Sequence, residues 1–267
     1  MPNTEWILLY VALGAFVGFM AGLLGVGGGG ILVPLLASVF TYQNVGVENA
    51  VHLALGTALA CMIISSVASI RAHSSHGAVA WRTVGGMAPG IILGAFLVTQ
   101  IAVELNSAYI ALFFSMFMAL VAGQIFLDWK PKPSKSPTTF GGLIMVGTGI
   151  GSVSALAAVG GGFLTVAYLG YKNFGIKKAI GTSSAIGFPI AIAGTVGYMI
   201  SGWSKTSSDS YTLGFIYVPA FLAISLASVI AAPYGARCSH GLPEGYLKKI
   251  FAVISLILSI KMLVAFV

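Results

Sequence analysis

Eight long, unbroken apolar runs dominate the chain, at 6–24, 50–70, 84–102, 106–127, 139–158, 177–200, 212–232 and 246–267. Each is close to the roughly 20 residues a helix needs to cross a hydrocarbon core. Inside that core every backbone N–H and C=O must find a partner within the protein, which only helices and closed barrels achieve. Barrel strands alternate polar and apolar residues; these runs do not. Of the 267 residues only 7% are charged, against about 25% in a soluble domain, so a water-facing surface cannot be built. The fold class is an all-α integral membrane protein.

Two shorter apolar pieces, near 31–40 and 162–170, each follow a glycine cluster: Gly25-Val26-Gly27-Gly28-Gly29-Gly30 and Gly160-Gly161-Gly162. Charge decides how they thread. If they are ordinary loops and only the long spans cross, the loop Lys and Arg residues divide six against six, which conflicts with the positive-inside rule. If each cluster tips a hairpin that returns to its starting side, the division becomes eleven against one, with Lys205 alone on the minority side. Lys261 lies within the last span and belongs to neither side. This reading puts both termini outside and the loops 71–83, 128–138, 171–176 and 233–245 in the cytoplasm. Charge sets sidedness but not depth, so the pieces are either re-entrant half-helices or fuller crossings.

The landmarks recur in order. Leu24, Gly28, Gly29, Gly30 and Leu32 match Leu156, Gly160, Gly161, Gly162 and Leu164. Ala54-Leu55-Gly56-Thr57 matches Ala179-Ile180-Gly181-Thr182, Pro89 matches Pro219, and Leu105 and Tyr109 match Leu242 and Tyr246, at offsets of 125 to 137 residues. The expected architecture is therefore two inverted repeats, 1–127 and 139–267, joined by a cytoplasmic linker at 128–138. Each repeat is a glycine-tipped hairpin followed by three transmembrane helices. Such repeats, interrupted at matching positions, point to a secondary transporter with its site near the midplane.

A glycine run breaks a helix, and the helix resuming after it presents unpaired N–H groups and a positive dipole end. Such an end attracts anions, and glycine lets a ligand approach the backbone. The candidate substrate-binding residues are therefore Gly27, Gly28, Gly29, Gly30, Gly160, Gly161 and Gly162. Thr57, Thr182, Ser183 and Ser184 add hydroxyls in apolar helices, either as donors to substrate oxygens or bonded back to their own helix. His52, one turn before Gly56, either lines the pathway from outside or sits at the headgroups. No acidic residue lies deep in a span, which argues against a carboxylate proton relay.

Other functions are disfavoured. The first cluster also reads G-x-G-x-x-G, but a membrane span rather than a strand precedes it, and no G-K-[ST] follows. His73 and His76 lack further ligands nearby, and Cys61 and Cys238 have no metal or disulfide spacing, so no metal or cofactor is expected. The formal charge of +7 is read as topology, not nucleic-acid binding. Met1 to Glu5 contain no Lys or Arg, so no secretory signal is expected. The clustered acids, bases and nucleophiles of an enzyme are missing.

Gly18–Pro34 (GFMAGLLGVGGGGILVP), Ala54–Thr57 (ALGT), Ala157–Phe163 (AAVGGGF) and Lys178–Ser184 (KAIGTSS) resemble the TauE/SafE sulfite exporter family. Two departures stand out: Val166 sits where a proline would match Pro34, and Ala58 where the second half has Ser183. The resemblance implies an inner-membrane permease for sulfite, thiosulfate or organosulfonates. The residues alone imply a carrier of a small anion, with carboxylate and phosphonate left open and an anion channel as the alternative. The partners expected are the anion and the lipid bilayer, with a homo-oligomer left open.

Overall fold

The structure, a computed structural model, describes residues 3–24, 28–45, 47–127, 139–206, 211–240 and 244–266. The proposed linker 128–138 lies outside the described residues. The helices run α1 (Thr4–Leu24), α2 (Gly29–Tyr42), α3 (Ala50–Ser75), α4 (Trp81–Ala102), α5 (Ser107–Phe126), α6 (Phe140–Ala157), α7 (Gly162–Tyr171), α8 (Ile176–Gly202), α9 (Val218–His240) and α10 (Glu244–Phe266). Eight are long and apolar enough to cross a bilayer; α2 and α7 are not. At 1.5 Å per residue these two span about 21 and 15 Å, or half a membrane. Polar caps start α5 and α6: Asn106 accepts from the Ala108 N–H at 3.1 Å, and Thr139 from the Gly142 N–H at 3.2 Å.

Helices in lipid gain little from burying apolar surface against one another, so small residues that permit close approach decide the packing. α1 lies along α9, with Gly14 against Ile224 and Gly18 against Ser228. α6 lies along α4, with Gly147 against Met87 and Gly151 against Ile91. Numbers rise together in both pairs, so each pair is parallel. α3 and α8 form the most buried pair at the centre. There Leu59 meets Gly194 and Ser66 meets Gly187, so these two run antiparallel. α5 packs on α10, where the Ser259 hydroxyl donates to the Ser115 carbonyl at 2.8 Å.

Two features differ from the expectation. The arms of each glycine-tipped pair splay: α1 touches α2 little, and α6 touches α7 little. The glycine faces of α1 and α6 are already taken by α9 and α4, so each first arm belongs to a helix of the other half. The second difference is the run at 212–232. Helix begins only at Val218, and Tyr211 to Tyr217 fold into a tight non-helical turn. Gly214 has φ 56°, and Thr212 pairs with Tyr217 in an isolated antiparallel bridge. The turn reads as a span because Phe215, Ile216 and Tyr217 are buried in the bundle and therefore apolar.

The parallel α4–α6 seam makes a testable contrast. A methyl at Gly147 would meet the Met87 carbonyl at 2.5 Å, whereas Gly149 faces open space. Gly147→Ala is expected to cost about 1–3 kcal/mol and Gly149→Ala nothing, read as melting temperatures of the detergent-purified variants.

Candidate functional site

Both glycine clusters break helices through left-handed backbone. Gly28, at φ 59°, caps α2, and its carbonyl accepts from the Ile31 and Leu32 N–H groups at 3.1 and 3.0 Å. In the second half Ala158, Gly160 and Gly161 have φ of 49°, 60° and 69°. α6 ends with the Ala158 and Val159 N–H groups both donating to the Ser154 carbonyl. α7 closes its first internal bond from the Thr165 N–H to Gly161 O at 2.8 Å. The Gly162, Phe163 and Leu164 N–H groups therefore precede the first helical bond of α7. Gly27 lies outside the described residues.

The two breaks touch. A Cβ on Gly29 would strike the Ala158 carbonyl oxygen, and one on Gly30 would lie 3.2 Å from Val159 Cγ2. Gly28, Gly29, Gly30, Gly160 and Gly161 are buried, and Gly162 is half-buried. A Cβ on Gly187 of α8 would sit 2.9 Å from Gly160 O. Along α8 that contact lies about 9 Å from Gly181 and about 22 Å from Gly202, so the junction falls within the thickness of the bundle. Among the described residues, the side chains that a Cβ on Gly28, Gly30, Gly161 or Gly187 would meet first include Val17, Ser66, Met118, Thr165, Ile186 and Ile190, all uncharged.

The Gly-Thr motifs sit on either side of this junction and share one geometry. Gly56 abuts the Phe215 carbonyl, and the Thr57 hydroxyl accepts from the Tyr217 N–H at 3.0 Å. Gly181 abuts the Ala78 carbonyl, and the Thr182 hydroxyl accepts from the Ala80 N–H at 2.9 Å. Each motif thus holds the segment that leads into α9 or α4, at opposite ends of the α3–α8 pair. The absence of Cβ lets the segment press against the helix, and the threonine next to it supplies the acceptor.

That use changes the expectation for the hydroxyls. Thr57 donates its proton to Leu53 O at 2.7 Å, and Ser183 and Ser184 give theirs to Ile180 O at 2.8 and 3.1 Å. In this structure these protons are spent on their own helices rather than offered to a ligand. His52 is buried, with Nε2 3.0 Å from Ala102 O and its ring stacked on Phe215 at 5.3 Å. It ties α3 to the α4–α5 turn and to the Phe215 segment, and does not reach the breaks. Lys205 is also engaged nearby, donating to Glu104 Oε1 at 2.8 Å and Val103 O at 3.1 Å.

Residue reading of the sequence overlooked Ser154 and Thr165, which flank the second break. Both hydroxyls are buried without a hydrogen-bond partner. The signal was present in the repeat alignment: the 132-residue offset pairs them with Gly22 and Val33, so a hydroxyl appears in one half only.

A polytopic bundle with two short apolar helices meeting inside it defines an integral membrane protein. The model of the sulfite exporter TauE/SafE family matches residues 10–262, and the chain belongs to that family. A probable membrane transporter protein of Haemophilus influenzae is 34% identical over 259 residues, covering 96% of this chain and 98% of its own. Probable membrane transporter proteins of Methanocaldococcus jannaschii and of Bacillus subtilis (YdhB) are each 25% identical, covering 90% of this chain and 89% and 94% of theirs. No solved structure matches.

The two threonines are separable by amide exchange. Thr57→Val removes the acceptor of the Tyr217 N–H and Thr182→Val that of the Ala80 N–H. Each is expected to speed hydrogen–deuterium exchange at its own segment, by roughly tenfold for a lost bond of about 1–1.5 kcal/mol, while leaving the other segment unchanged.

Proposed function

We propose that the protein is a secondary carrier of small sulfur-containing anions such as sulfite, thiosulfate or organosulfonates. It works by alternating access, with the anion held where the two glycine breaks meet. The observation that carries this reading is the abutment of the breaks between two matched segments, 213–217 and 78–80, each held by a Gly-Thr motif. Releasing one segment at a time would open the junction to one side at a time, which is the essence of a carrier.

Two inverted repeats, 1–127 and 139–267, are the architecture we infer. The antiparallel packing of α3 on α8 supports it, because these helices hold corresponding places and an inverted pair must run in opposite senses. The parallel senses of α1 with α9 and of α4 with α6 agree with the same arrangement. Lys and Arg asymmetry favours both termini outside, and the location we infer is the inner membrane. The preference for sulfur-containing anions follows from the family description, and the uncharged side chains nearest the breaks among the described residues accord with a ligand held by N–H and O–H donors.

Counterflow in proteoliposomes tests the reading. Vesicles are preloaded with unlabelled sulfite, thiosulfate, sulfoacetate or taurine, and uptake of the matching labelled compound is followed. The expected result is saturable uptake of one of them. It should be lost in Gly161→Leu, whose Cβ would lie 2.7 Å from Ile190 Cδ1 at a φ of 69° that side chains disfavour. Gly149→Ala serves as the control. Non-saturating flux with no exchange would instead indicate a channel, and uptake of carboxylates or phosphonates alone would remove the sulfur preference.

A further inference from the structure

The two glycine breaks are chemically unequal. Around the second lie two enclosed hydroxyls, Ser154 at 1% exposure and Thr165 at 0%, neither with a hydrogen-bond partner. Buried hydroxyls are nearly always partnered, because stripping one of water without replacement is costly. Thr165 Oγ1 lies 3.3 Å from the point where a Cβ on Gly161 would stand, beside Ile190 and Ile186, so the hydroxyl faces the second break. Ser154 occupies the last turn of α6, and its carbonyl anchors the Ala158 and Val159 N–H groups that start the break. The first turn of α7 adds its free N–H groups at the same place. At the first break the matching positions are Gly22 and Val33. There the side chains nearest the glycines are Val17 and Ala21 at Gly28, and Val159 and Met118 at Gly30, all without a hydroxyl.

We propose that the anionic head binds to the second break alone, on the N-terminus of α7 and the hydroxyls of Ser154 and Thr165, with the first break as its apolar wall. The inference rests on the carrier reading above and narrows its substrate class. A helix end supplies about half a positive charge, and among the described residues the side chains nearest Gly28, Gly29, Gly30 and Gly161 include no Lys, Arg or His. Such a set of neutral donors balances one delocalised negative charge. A second charge would be stranded in an enclosed, apolar setting. The ligand is therefore a monoanion with a compact oxygen-bearing head, meaning a sulfonate or hydrogensulfite, and not a dianion such as sulfate.

Equilibrium binding to the full-length protein in detergent, by calorimetry, tests both parts with methanesulfonate, sulfite and sulfate as probes. Methanesulfonate should bind equally across neutral pH. Sulfite should bind more weakly as pH rises, because its protonated monoanion disappears, and sulfate should not bind. Thr165→Val and Ser154→Ala should each weaken methanesulfonate binding by roughly tenfold or more, as expected for a hydrogen bond to a charged group, whereas Thr165→Ser retains it. The ligand-free melting temperature of Thr165→Val should hold or rise, since an unpartnered hydroxyl is removed; a drop would mark the residue as structural and overturn its role. Gly149→Ala, on the open face of α6, should leave binding unchanged. Unweakened binding in both hydroxyl variants, with loss in Gly161→Leu, would overturn this inference and leave the carrier reading intact. Sulfate binding as tight as methanesulfonate would overturn the monoanion claim. Failure of the native protein to bind methanesulfonate or sulfite would overturn this inference, while saturable counterflow of thiosulfate, a carboxylate or a phosphonate would leave the carrier reading standing.

Discussion

Every backbone polar group placed in hydrocarbon must be partnered, and that requirement organises this molecule. A helix meets it automatically, so most of the chain is helix. The glycine clusters interrupt it, and the fold brings the two interruptions together. Gly28, Gly29, Gly30, Gly160 and Gly161 are buried, and the two breaks are neighbours through Gly29 and Ala158. The central α3–α8 pair meets the junction at Gly187 and Ser66, and the segments at 78–80 and 213–217 are held on that pair to either side of it.

The helical class and eight of the helices were legible because hydrocarbon thickness imposes a length and an apolar composition that few other folds share. The glycine breaks were legible because few residues adopt left-handed backbone as readily. Two things were not. The 211–217 turn is as apolar as a helix because it is buried, and apolarity reports burial before it reports conformation. The partners of the Thr57 and Thr182 hydroxyls are backbone N–H groups 160 and 102 residues away, and no local pattern marks such a bond. Ser154 and Thr165 fall between these cases. They differ visibly from Gly22 and Val33, but matched landmarks draw attention to sameness, and these two hydroxyls are a difference between the halves.

The Gly-Thr motifs show how one short sequence both admits and holds a neighbouring segment. The glycine admits a neighbouring backbone, and the threonine holds it with one hydrogen bond. A net strength of about 0.5–1.5 kcal/mol per bond secures a segment without locking it. Using the same device at both ends gives two restraints of similar strength. A modest difference in ligand contact would then suffice to favour release of one over the other.

The exchange of arms between halves also bears on how the chain is made. Gly14 of α1 packs on Ile224 of α9, so 210 residues of synthesis separate a helix from the surface it is shaped to fit. At ordinary rates of about 5–20 residues per second α1 waits some 10–40 s in the bilayer with its glycine groove facing lipid. The α4–α6 seam, between helices much closer in sequence, can close well before that. Assembly therefore proceeds from the middle of the chain outwards. α1 can dock on α9 only after α9 is made, and during that interval lipid or an insertion chaperone must occupy the place of α9.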